Sequence, residues 1–143
     1  MSDTPRPAER LRPHPTDRFA APQIEVDLQA MIKRLRAEPG AGERGHRQET
    51  LYRRGGATIA LFVFDRFTRL EEHKASGIVS MHVLRGRLKI TAGGTAHDLR
   101  AGQMLITAPD VPHEIVAEEE SEMLVNIHLG QQPGAPAAGA AAV

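Results

Sequence analysis

The sequence predicts an all-β fold: a small antiparallel barrel or jelly roll with one N-terminal helix. Three observations carry this. Beyond Thr50, short apolar or alternating runs are separated by glycine and proline turns at short intervals. Only one stretch, Ile24 to Glu38, has helical periodicity. The 143 residues are enough for one core but not for two.

Taken in order, residues 1–22 hold five prolines and many charges without an apolar period, and are expected to be a disordered arm. The domain is expected over 23–129. Its helix spans 24–38, with Leu28, Met31, Ile32 and Leu35 on one stripe that covers a sheet face. Pro39-Gly40 ends it. The segment from Gly42 to Glu49, including His46, reads as a solvated linker, or as a route for His46 to a neighbouring subunit.

The barrel is expected over about 50–129. "TLYRR" turns at Gly55-Gly56 into the apolar "TIALFVFD". "RLEEH" and "IVSMHVL" follow, the latter ending at Arg85-Gly86. "RLKITA" turns at Gly93-Gly94 into "TAHDLR", and Ala101-Gly102 leads into "MLITA". Pro109 and Pro112 flank a loop before "HEIVA", and "EMLVNIHL" is the last strand. Nine short strands of this kind close best into a barrel, which leaves few free edges. Residues 130–143 are low in complexity and are expected to be a disordered tail.

Composition excludes several function classes. Eighteen basic and eighteen acidic residues cancel, so there is no bulk attraction to nucleic acid or to an anionic membrane. Without cysteine there is no disulfide framework, zinc–cysteine site or thiol nucleophile. No apolar run is long enough to span a bilayer, and the N-terminus lacks the apolar centre of a secretory signal. A cytoplasmic protein is the expectation. The acidic "AEEESE" and the basic "RGRLK" read as solvated surface, and Gly93-Gly94 as a turn without a following helix, not a phosphate loop.

Seven histidines remain as the chemistry-bearing residues. His14 falls in the arm and His97 beside a turn. The turn-and-histidine rhythm resembles the cupin superfamily over roughly Thr58 to Leu129. That family carries G-x5-H-x-H-x3-4-E-x6-G and then G-x5-P-x-G-x2-H-x3-N. Anchored on Gly86, the first motif matches at His73 and departs at Phe67 (glycine), Ala75 (histidine) and Val79 (glutamate). Anchored on Gly102, the second matches at His113, places Pro109 one step late, and departs at Asp110 (glycine) and Ala117 (asparagine).

The resemblance implies a single cupin barrel, a double-stranded β-helix of jelly-roll form, with His73 and His113 as two of four metal ligands. It implies a weakly held divalent ion (Fe, Mn, Ni or Zn), a small-molecule ligand and pairing as a homodimer. Two readings of function follow. One is a metal-dependent oxygenase or isomerase; the other is a non-catalytic ligand-binding or sensing protein with a degenerate metal site. Strand alternation places Val79, Met81 and Val83 toward the barrel, and turns His82 and His128 out into a polar patch with Ser80 and Asn126. A register shift would instead bring His82 inward as a third ligand.

Overall fold

The computed structural model describes residues 19, 21–39 and 46–130. The expected arm, except its last residues, and the tail beyond Gly130 lie outside them, as does His14. Nine strands form two antiparallel sheets: β1 (His46–Arg54), β2 (Ala57–Phe64), β3 (Arg69–His73), β4 (Gly77–Arg85), β5 (Arg87–Ala92), β6 (Thr95–Arg100), β7 (Met104–Thr107), β8 (His113–Ala117) and β9 (Ser121–Leu129). The five-stranded sheet runs β1-β2-β9-β4-β7 and the four-stranded sheet β3-β8-β5-β6. This is the jelly roll that the turn spacing predicts.

Period-two alternation builds the core. Val79, Met81 and Val83 on β4 face Ile90, Leu88 and Ile115 from the other sheet, with Phe64, Met123 and Val125 completing the inner cluster. The opposite face of the five-stranded sheet holds a second cluster, Leu51, Leu61 and Val63, capped by Leu35. Leu35 belongs to α1 (Leu28–Ala37), whose Leu28, Met31 and Ile32 pack on the same surface. The predicted stripe therefore covers a sheet face, as its spacing requires.

Three boundaries differ from the sequence reading. The helix begins at Leu28 rather than Ile24, because Asp27 is extended and its Oδ1 accepts from the Ala30 amide at 3.1 Å, an N-cap. It ends at Ala37, before Glu38, whose extended backbone suits a residue preceding proline. The first strand begins at His46 rather than Thr50, so His46–Glu49 is not a linker. Its polar residues are absorbed by the helix: buried Glu49 pairs with Arg34, and Arg47 Nε donates to the Glu38 carbonyl at 3.1 Å. A carboxylate buried beneath an exposed arginine breaks the apolar alternation that would have revealed the strand.

The turns explain how the sheets are aligned. Gly93 and Gly94 both have positive φ, the conformation of a two-residue I′ hairpin between β5 and β6. Among the described residues, the non-glycine residues with positive φ are Phe67 and Asp110, each at 63°. These are the two motif glycine positions at which this chain carries another residue, Gly86 and Gly102 being the other two. The backbone keeps the glycine conformation although the residue has changed.

Candidate functional site

The two ends of the barrel differ. At one end, β2 finishes at Phe64 opposite Ser121, and His46 lies opposite Phe64. At the other end lie the end of β3, the starts of β4 and β8, and the end of β7. This second end, the mouth, holds the two histidines singled out by the motifs.

His73 and His113 are direct cross-strand partners on β3 and β8. A bulge between Leu70 and His73 lets both residues face the interior side, where Leu70 lies opposite Ile115. Their rings meet edge to face, with centroids 4.2 Å apart and planes at 67°. His113 is only 3% exposed, whereas His73 is open to solvent.

The hydrogen bonds fix which nitrogen does what. His73 Nδ1 lies 2.9 Å from the Glu71 carbonyl, and His113 Nδ1 lies 3.2 Å from the Val111 carbonyl. A carbonyl can only accept, so each Nδ1 donates, and in the neutral imidazole Nε2 keeps its lone pair. Burial pushes the His113 pKa below the usual histidine value; the neighbouring His73 adds to this and the Val111 carbonyl opposes it.

Such an arrangement is how metal-ligating histidines are oriented. A family-type metal centre also needs further donors, and these are lacking. Val79, at the glutamate position, is buried against the inner cluster, and Ala75 occupies the other histidine position. Among the described residues, no three His, Asp or Glu side chains come together as a metal-holding group. The described residues do not fit the family's metal centre.

His82 and His128 lie on the outer face of the five-stranded sheet, as alternation predicts. Asn126 Nδ2 donates to Ser80 Oγ at 3.3 Å across the β4–β9 ladder, while His82 sits opposite Leu124 and His128 opposite Ile78. Of the four residues of the expected patch, Ser80 and Asn126 are hydrogen-bonded to each other, and His82 is not brought to His73 and His113. His46 rests against Phe62 and Phe64, at the end of the barrel away from the mouth.

One mouth residue carries no sequence signal. Thr107 closes β7 opposite Val79 and shares the inner face with Leu105. It is 6% exposed, and its hydroxyl is buried without a hydrogen-bond partner. A threonine in a strand is ordinary, so only the structure reveals that this hydroxyl is orphaned.

Residues 68–128 match the family model described as a cupin domain. A cupin superfamily protein from Desulfitobacterium hafniense superposes with a TM-score of 0.59 at 22% identity, covering 63% of this chain and 83% of its own. A conserved protein of unknown function from Streptococcus pyogenes gives 0.58 at 22% identity, over 63% and 79%. Salicylate 1,2-dioxygenase from Pseudoaminobacter salicylatoxidans, in adducts with gentisate, gives 0.57 at 14% identity, over 71% of this chain and 29% of its own. No curated protein matches the sequence. At these identities the solved structures speak for the fold. The matched segment, the jelly roll and the glycine-type backbone at the motif positions make residues 68–128 similar to a single cupin barrel of the cupin 2 type.

Proposed function

We propose that this cupin binds a small molecule at the barrel mouth, and that His73 and His113 take the ligand directly rather than through a firmly held metal. The carrying observation is the imidazole pair itself: two rings in contact at 4.2 Å, each with Nδ1 committed to a carbonyl and Nε2 left as an acceptor. Apolar Val79 stands where a carboxylate would complete a metal site. A ligand-binding or sensing role without chemistry needs nothing further. The oxygenase or isomerase reading has one observation in its favour, since Nε2 lone pairs oriented by carbonyls are also what a metal takes. It requires another donor, from the ligand or from residues outside those described.

Metal content of protein prepared without a polyhistidine tag tests this. Divalent metal well below one ion per chain, lost on mild chelation and abolished by His73→Ala or His113→Ala, is the expected result. One ion per chain that survives chelation would refute the proposal and require a third protein ligand.

A further inference from the structure

We infer that the ligand of the mouth is an uncharged organic molecule that presents a hydroxyl or N–H donor, and not a carboxylate. The inference rests on the small-molecule reading above and deepens it. Both imidazoles have spent their Nδ1 hydrogens on the Glu71 and Val111 carbonyls. What they offer a ligand is therefore two Nε2 lone pairs. A carboxylate brings only acceptors, so against neutral imidazoles it would leave lone pairs facing lone pairs. A hydroxyl or N–H satisfies them.

Thr107 supplies the complementary group. Its buried hydroxyl has no partner, faces the interior, and is joined to His113 by the short loop of residues 108–112. A hydroxyl both donates and accepts, so a ligand O–H could donate to an imidazole and accept from Thr107. The surrounding charge points the same way. The exposed charged side chains on β3, at Lys74 and on the 108–112 loop are Arg69, which is paired with Glu114, and Glu71, Glu72, Lys74 and Asp110, three carboxylates to one ammonium outside that ion pair. That rim disfavours anions. Val79 and Ile127, paired across β4 and β9, give an apolar wall for the rest of the molecule.

The test uses the full chain with 15N-labelled histidine. Long-range proton–nitrogen spectra report which ring nitrogen carries the proton. Phenol, anisole and benzoate are then titrated as matched probes: donor, donor blocked by a methyl, and carboxylate. Both residues should show protonated Nδ1 and bare Nε2. Phenol should shift the Nε2 signals saturably, with anisole and benzoate at least ten-fold weaker. Thr107→Val should weaken phenol several-fold and leave the tautomers unchanged, and His113→Phe should abolish the shift. A protonated Nε2 in either neutral ring, or anisole or benzoate binding as well as phenol, would overturn the inference. Unaltered phenol affinity in Thr107→Val would overturn the place given to that hydroxyl. Failure of all three probes with the tautomers as stated would instead count against the small-molecule reading itself.

Discussion

Replacing Thr107 by valine should make the protein more stable. The side chain keeps its shape and its β-branch, so packing against Val79 is preserved and strand propensity does not fall. Only the hydroxyl is lost, and that hydroxyl is buried without a partner. An unsatisfied buried polar group costs about 1–3 kcal/mol, and an apolar group of the same shape removes the cost. Taking the lower end, because a hydroxyl can rotate toward weak acceptors, the expected gain is about 1 kcal/mol. In a domain of this size that raises Tm by roughly 4–8 °C. Urea titration should move the midpoint upward with an unchanged slope. Thr107→Ser is the control: it keeps the orphaned hydroxyl and deletes a buried methyl, so it should lose about 1 kcal/mol. A valine variant no more stable than the parent would mean the hydroxyl is satisfied, and would remove its availability to a ligand.

Four further outcomes are expected. Phe67→Gly should raise stability by roughly 0.5–1 kcal/mol in urea titration, since Phe67 is 71% exposed and holds a φ of 63° that costs a β-carbon about 1–2 kcal/mol. Glu122→Ala should cost roughly 3 kcal/mol, because this carboxylate is 2% exposed and accepts from Arg36 at 2.6 Å and Arg85 at 2.9 Å. Since His113 has a lowered pKa in the folded state, the unfolded chain takes up the proton first as pH falls. Its contribution is therefore complete above the unfolded value of about 6.5 and declines below it, and His113→Phe should flatten that decline. Finally, the outer face carries exposed Ile78, Met104 and Ile106 on adjacent strands β4 and β7, a surface suited to a second copy. Light scattering should give a dimer mass that Ile106→Lys shifts to monomer.

The sequence and the structure agree most closely where backbone chemistry leaves a local mark. Glycine pairs at 55–56 and 93–94 announce hairpins, and β4 and β9 alternate so cleanly that the outward turn of His82 and His128 follows from counting. His73 and His113 are legible from motif spacing. What was hidden depends on partners distant in the chain. His46–Glu49 reads as solvated because nothing local shows that Arg34, from the helix, pairs with buried Glu49. Ile24 and Val26 extend the helical pattern, yet the cap at Asp27 starts the helix after them. At the mouth, the tautomers depend on carbonyls two residues upstream, and the orphaned Thr107 hydroxyl depends on what is not near it. No residue pattern encodes either.

The frame of this barrel and the chemistry of its mouth are set by separate residues. Phe67 and Asp110 preserve the left-handed turns of the motifs without glycine, so the strands that carry His73 and His113 are brought into register at a cost in backbone strain. Val79 and Ala75 change the donor set without disturbing that register. The consequence is electrostatic. With a carboxylate in place of Val79 the mouth would carry a fixed negative charge and attract a cation. With valine it is an apolar wall beside the imidazole pair, and around buried His113 a hydrogen bond to a ligand is stronger than in water, while one left unmade is more costly. If the mouth takes the donor-bearing ligand proposed above, the apolar wall would contribute to its selection as much as the imidazoles, since a molecule lacking the donor would leave His113 without the hydrogen bond it offers.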